Sequence, residues 1–118
     1  MINELAPRVH NSGHWTMDGA VTSQFQQHLR AILGLPLGSV RPYGSAAMIN
    51  LLGTGEDRPA RLTGLDRALA DPDVHVHLYG KRRVFERRKM GHVTVIGNDL
   101  DAALDRARTA HGQLGWGA

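Results

Sequence analysis

The chain has no cysteine, which removes disulfides, thiolate metal sites and a cysteine nucleophile together. Aromatic residues make up only 5%, so a core has to be built from Leu, Ile, Val, Ala and Met. No apolar run approaches the roughly 18 residues of a membrane helix, and no signal peptide is visible. The expectation is a soluble, cytoplasmic chain with no membrane partner. GxSxG, GxxxxGKS/T and a convincing GxGxxG are missing too. A serine hydrolase, a P-loop NTPase and a dinucleotide fold therefore have no support.

What is present is concentrated at the start. Asn3 to His14, NELAPRVHNSGH, gathers a carboxylate, two amides, a guanidinium, two imidazoles and a hydroxyl. So many polar groups in one stretch point to a charged ligand, and the block reads as the end of an active site whose earlier parts lie upstream. Taken alone, Glu4 is most plainly an ordinary exposed glutamate. Beside Asn3 it also offers the hard oxygen donors that suit Mg²⁺ shared with phosphates. Arg8, His10, Asn11 and Ser12 tilt the balance, since a guanidinium fork, an imidazole, an amide and a hydroxyl suit a phosphate-like group. His10 and His14 have zinc-like spacing, but Asn11-Ser12-Gly13 is a turn signal and no HExxH follows. His75 and His77 share a strand face and could hold a metal, yet no third ligand is evident.

The second concentration is basic. Lys81, Arg82, Arg83, Arg87, Arg88 and Lys89 fall between two strand-like segments, in a chain of net charge +3. A solvated turn, a pocket for a small phosphate and a nucleic-acid patch compete for this cluster. Nucleic acid is the weakest, because no recognition motif accompanies the charges.

Periodicity predicts an α+β fold of short antiparallel strands and about three helices. Strands are expected at Ile2–Ala6, Ala46–Leu52, Val74–Tyr79 and His92–Ile96, the last two as an antiparallel pair. Helices are expected at Ser23–Leu33, capped by Thr22 or Ser23, within Leu62–Ala70, and at Asp99–His111. Phe25, His28, Leu29, Ile32 and Leu33 form the apolar face of the first, with His28 a core or interface histidine. Leu65, Ala68 and Leu69 form that of the second. Leu100, Ala103, Leu104 and Ala107 face inward from the third. Residues 112–118 read as a loose tail.

NELAPRVHNSGHWT (Asn3–Thr16) and TSQFQQHLRAILGLPLG (Thr22–Gly38), followed in order by AAMINLLG, VHLYGK and RKMGHVTV, resemble the C-terminal third of 5-(carboxyamino)imidazole ribonucleotide synthase. That family belongs to the ATP-grasp superfamily and acts in purine biosynthesis. The resemblance implies that residues 1–38 end an ATP-grasp domain and 39–118 form a ribonucleotide-phosphate-binding domain. It implies a ligase that joins aminoimidazole ribonucleotide, bicarbonate and MgATP, giving the N5-carboxylated ribonucleotide, ADP and phosphate through carboxyphosphate. Glu4 matches the Mg²⁺ carboxylate and Asn3 its neighbour at the ATP phosphates. Arg8, His10 and Asn11 match the catalytic loop around bicarbonate or carboxyphosphate, with Ser12 beside them at the substrate. Lys81 and Arg88 match the grip on the ribonucleotide 5′-phosphate. Arg87 departs from the family, which commonly has glycine there, and makes Arg88 a less direct match than Lys81. Other ATP-binding parts lie upstream in the family, so the chain is expected to be inactive alone: a truncated product, half of a split enzyme or a piece of a longer one. A homodimer is expected for the full enzyme. The rival readings are a free-standing ribonucleotide- or phosphate-binding module and a related ATP-grasp carboxylase with another substrate.

Overall fold

Three apolar runs of alternating character, each too short for a long helix, become the three strands on which the molecule is built. The computed structural model describes residues 1–117. In chain order, a 3₁₀ turn at Asn11–Gly13 precedes helices α1 (Thr16–Gly19) and α2 (Gln24–Ile32). Strands β1 (Ser45–Leu52), β2 (Arg58–Pro59) and β3 (Leu62–Thr63) follow, then helix α3 (Leu65–Ala68) and strand β4 (Val74–Leu78). Strands β5 (Arg83–Val84) and β6 (Lys89–Gly97), helix α4 (Leu100–Gln113) and strand β7 (Gly115–Trp116) complete it.

The main sheet is antiparallel with order β1-β6-β4, so the two arms predicted to pair do pair. Its register sets Ile49 and Val76 opposite Val93, and Ala47 and Val74 opposite Val95. Because strand side chains alternate, these residues share one face, and α4 covers it with Ala103, Ala107 and Ala110. Alanine at the helix contact lets the backbone come close to the sheet, and Val93, Val95 and Ala107 have no exposed surface. Asp99 caps α4, its Oδ1 accepting from Ala102 N at 2.8 Å. Arg106 then fastens the helix to the turn before β4: Nε donates to Asp71 Oδ2 at 2.7 Å and Nη2 to Asp73 Oδ2 at 2.7 Å. That contact holds the Asp71 carboxyl below the ordinary carboxylate range.

Helix α2 is capped as predicted, Ser23 and Gln26 exchanging side-chain and backbone bonds in a capping box. Most of its apolar stripe is exposed among the described residues, however. Leu29 is 55% exposed, Ile32 66% and Leu33 67%, and His28 is exposed rather than buried. The expected strand Ile2–Ala6 is not formed either; it is exposed and unpaired, and a strand needs a ladder partner for its backbone groups. Of the second predicted helix only Leu65–Ala68 is helical, with Ala68 buried and Leu65 and Leu69 outside. Leu100, at the first position of α4, likewise has its side chain exposed rather than inward. The tail is not loose: Gly115–Trp116 pairs with Leu62–Thr63, Trp116 Nε1 donates to Leu52 O at 2.9 Å, and Arg58 donates to the carbonyls of Trp116 and Gly117 at 3.0 Å each.

The basic connection is structured too. Arg83–Val84 pairs with Arg58–Pro59, and the turn after it docks on Gly53, where Arg87 N donates to Gly53 O at 2.9 Å and Gly53 N to Arg88 O at 2.7 Å. A Cβ on Gly53 would lie 2.2 Å from the Phe85 carbonyl oxygen, so only glycine admits the turn. Arg87 has φ 61°, the left-handed region that favours glycine. The turn thus asks of Arg87 a backbone conformation that glycine adopts more readily.

Candidate active site

The face of the main sheet turned away from α4 carries Met48, Asn50, His75, His77, His92 and Thr94, and Tyr79 continues it just past β4. The same register that buries Val76 and Val93 on the other side aligns His77 with His92 and His75 with Thr94. The segment from the Asn11 turn through α1 lies across this face. Asp18 on α1 pins it there: Oδ2 is 2.8 Å from His77 Nε2 and Oδ1 is 3.5 Å from His75 Nδ1. Backbone bonds from Val21 N to Arg41 O (3.0 Å) and Tyr43 N to Gly19 O (2.8 Å) close the seam on its far side.

Inside the seam the rings form a cluster. His77 stacks on His92 with centroids 4.7 Å apart and planes 22° apart. His14 packs edge-on to His92 at 5.4 Å and to Tyr79 at 6.0 Å, with Phe25 of α2 behind it at 5.1 Å. His92 is fully buried, and its Nδ1 is 2.8 Å from the Tyr79 hydroxyl. Burial, with His77 and His14 adding to it, pushes the His92 imidazole down to about 4. The ring is therefore neutral at pH 7 and shares one hydrogen bond, through Nδ1, with the Tyr79 hydroxyl. Burial also lowers His14 and raises Tyr79, the latter offset in part by the Asn11 side chain.

The predicted site residues divide into three groups. His10, Asn11 and Ser12 come together in the 3₁₀ turn: His10 Nδ1 accepts from the Ser12 backbone N–H at 3.2 Å and sits 2.8 Å from Ser12 Oγ. With Nδ1 an acceptor, the proton rests on Nε2, a donor for an anionic oxygen. Arg8, exposed and donating to Val9 O at 3.1 Å, lines a groove of about 440 Å³ against α2 with Gln24, Gln27 and His28. The second group is Lys81 and Arg88. Lys81 Nζ lies 5.8 Å from the Tyr79 ring centroid and donates to Lys89 O. Arg88 engages another part of the turn, donating to Arg83 O at 2.8 Å with its guanidinium 4.9 Å from the Phe85 centroid. The third group, Asn3 and Glu4, lies in the exposed lead segment.

Sequence reading missed Asp18, Tyr79 and His92. The third partner that His75 and His77 lacked is supplied by Asp18 and His92, whose ligand atoms lie with that of His77 within 4.8 Å of one another. No cation is needed to explain them. His77 already meets Asp18, His92 meets Tyr79, and near-parallel stacked rings do not converge their lone pairs on one point. The hard oxygen chemistry of Mg²⁺ fits Glu4 better, an exposed carboxylate that makes no ion pair among the described residues.

Residues 46–106, just over half the chain, match the model of the phosphoribosylaminoimidazole carboxylase C-terminal domain. The chain belongs to that family. Residues 1–25 match the ATP-grasp domain, so the carboxylase C-terminal domain is joined here to an ATP-grasp sequence. The N5-carboxyaminoimidazole ribonucleotide synthase of Vibrio cholerae is 53% identical over 107 residues, covering 90% of this chain and 26% of that protein. The synthase of Saccharolobus solfataricus is 48% identical over 86% of this chain and 25% of its own length. The crystal structure of the Thermotoga maritima synthetase superposes with a TM-score of 0.90 at 47% identity, over 94% of this chain and 31% of that one. An Aspergillus clavatus synthase in complex with ADP and 5-aminoimidazole ribonucleotide superposes at TM-score 0.73 and 34% identity, over 87% of this chain and 28% of that one. The chain thus spans about a quarter of the length of the curated relatives it matches. No helix among the described residues is long and apolar enough to cross a membrane.

Proposed function

We propose that this chain supplies the C-terminal part of a cytoplasmic ATP-dependent ligase that carboxylates 5-aminoimidazole ribonucleotide at its exocyclic amine, using bicarbonate and ATP in purine biosynthesis. The observation that carries the reading is the turn in which His10, Asn11 and Ser12 present a donor, an amide and a hydroxyl together, one tyrosine away from Lys81. Residues 1–38 close the ATP-grasp part and 39–118 hold the ribonucleotide phosphate. The matches to 1–25 and 46–106 support a division between them. The uncovered apolar stripe of α2 fits a surface that the remainder of the ligase covers, and a homodimer is the assembly we expect for the whole.

The chemistry follows from charge. Transfer of the γ-phosphoryl group of ATP to bicarbonate gives carboxyphosphate and ADP; the amine then bonds to the carboxyl carbon as the C–O bond to phosphate breaks, releasing inorganic phosphate and the amine's proton. Each step gathers negative charge on oxygen, and preorganised donors are most effective where such charge develops. Arg8 and the His10 Nε2–H would face those oxygens, with Asn11 and Ser12 orienting the carboxyl group and the amine. Glu4, with Asn3 beside it, would hold Mg²⁺, which when bound neutralises the charge of the ATP phosphates. Lys81 as a mobile point charge and Arg88 as a fork suit the 5′-phosphate. Both side chains now rest on backbone carbonyls, and a phosphate would replace those neutral acceptors by a charged one.

The test is a pair of substitutions in the complete ligase carrying this chain. Glu4→Ala should abolish ATP-dependent carboxylation, while Lys81→Ala should chiefly raise the KM for the ribonucleotide. Wild-type kcat and KM in both variants would overturn the assignment. Ribonucleotide binding without any Mg²⁺- and ATP-dependent turnover would leave a binding module instead.

A further inference from the structure

Residues 1–25 and 46–106, which match two different families, meet along the polar face of the sheet, and ring packing makes up most of the contact. Helix α1 sits close on β6 there: a Cβ on Gly19 would lie 2.9 Å from Ile96 Cδ1. Polar ties are scarce. His14 Nδ1, Asn50 Oδ1, His92 Nε2 and Thr94 Oγ1 are buried along this face without a hydrogen-bond partner. Among the described residues, one hydrogen bond crosses from 1–25 to 46–106, between Asp18 Oδ2 and His77 Nε2 at 2.8 Å. The carboxylation chemistry outlined above leaves Asp18 without a role.

Its side chain is only 13% exposed, and both oxygens are engaged. A carboxylate offers acceptors alone, so His77 meets it through the hydrogen on Nε2. His75, on the same strand face two residues earlier, brings Nδ1 to 3.5 Å from Oδ1. Two points of contact fix the rotation of α1 as well as its place. From α1 the constraint runs back to the catalytic turn through successive short bonds. Met17 N donates to His14 O at 3.1 Å, His14 N to Asn11 O at 3.1 Å and Gly13 N to His10 O at 2.9 Å, while Thr16 Oγ1 donates to Gly13 O. On the other side of the bond, His77 belongs to β4, and Lys81 follows three residues past the end of that strand.

We propose that Asp18 is a positioning residue: its carboxylate, gripped by His77 and His75, clamps the turn of His10, Asn11 and Ser12 to the domain that carries Lys81, so that carboxyphosphate formed at the turn meets the ribonucleotide amine before water does. This role rests on the ligase reading and deepens it, because it ties together the two halves on which that reading draws. Carboxyphosphate left waiting reacts with water to give bicarbonate and inorganic phosphate, and one ATP is consumed without product. Capture by the amine is fast only while the reacting atoms are held in a near-attack geometry, and a displacement of about an ångström is costly in rate.

The ratio of ADP to carboxylated product, measured in the complete ligase, reads the clamp directly. The balanced reaction gives equal amounts of the two. Asp18→Ala should lower product formation about tenfold, the scale of one lost hydrogen bond to a charged group. ADP formation should fall far less, so the ratio rises severalfold. The KM for the ribonucleotide should stay within about twofold, since its phosphate grip is untouched. His77→Phe keeps a ring against His92 but removes the donor; it should act alike, and the double variant should be no worse than either alone. Asp18→Asn still offers His77 an oxygen and should restore most of the coupling. The ratio does not depend on how much enzyme is folded, so a merely structural aspartate would lower both rates together and leave it unchanged. That result overturns the proposal, as does an additive loss in the double variant. Lys81→Ala serves as the control: if it raises the KM while Asp18→Ala stays coupled, only the positioning role falls. If the parent ligase forms no ADP in response to bicarbonate and ribonucleotide, the underlying reading falls with it.

Discussion

The two faces of the main sheet are built from the same three strands and obey opposite rules. Toward α4, Val74, Val93, Val95 and three alanines close into a dry layer with no buried polar side chain left unpaired. Away from it, three histidines, a tyrosine and an aspartate stack and bond under a loop, and every buried unpartnered polar atom of the described residues is found there. The apolar face carries the fold, and the polar face carries a site whose geometry depends on that fold. Beyond the seam, α2 shows a third behaviour, a capped helix whose apolar stripe, Phe25 against His14 apart, is left exposed among the described residues.

The sharpest test of that contrast is acid. His92 titrates below its ordinary value, so the unfolded chain takes up the proton first. Stability should be full above about pH 6.5 and be lost as pH falls toward about 4, by up to about 3 kcal/mol. Denaturant unfolding between pH 7.5 and 4.5 reads it, and His92→Phe should flatten that limb. The groups facing His92 are His77 from β4, Tyr79 just past it, His14 from the loop and Asp18 from α1; an unchanged slope in His92→Phe would move the effect to them.

Next in size is a matched pair of truncations. Val93→Ala, on the dry face, should cost about 2 kcal/mol through lost transfer energy and a residual cavity. Leu29→Ala on α2 should change the stability of this chain by less than about 0.5 kcal/mol. Equal losses in thermal or denaturant unfolding would show that α2 is buried in solution, and the contrast would fail. The smallest effect belongs to the turn at Gly53. Arg87→Gly relieves a left-handed non-glycine residue and should stabilise by up to about 1 kcal/mol, the steric relief being partly offset by the added freedom of the unfolded chain. A loss of stability would mean that the arginine side chain holds the turn.

Much of the dry face was legible from the residues. Val74 and Val76 alternate with His75 and His77, Asp99 and Ser23 announce their helices, and the apolar run around Ala46–Leu52 is bounded by glycine. These are local signals, and the strands and helices they predict are present. What could not be read locally is pairing across distance. The two-residue strands β2, β3, β5 and β7 exist only because partners far along the chain meet them, and Gly115–Trp116 carries no periodicity of its own. The exposure of Phe25, Leu29 and Ile32 is equally invisible, since an amphipathic stripe says that a face is apolar and not what lies against it. In the site, His10, Asn11 and Ser12 could be named from their sequence block. Asp18 and His77 are 59 residues apart, and only the register of β4 on β6 and the fold of the loop bring them together.

That register has a further consequence for how the molecule guards against error. Side chains alternate along a strand, so a slip of β4 by one residue along β6 would turn Val76 toward the loop and His77 toward α4. The dry layer would receive imidazoles, the loop would lose its anchor, and Tyr79 would leave His92. A mispaired chain therefore cannot present a half-assembled site on a sound core. Core and site fail together, and any molecule able to grip its ligand has already shown that its strands are correctly paired.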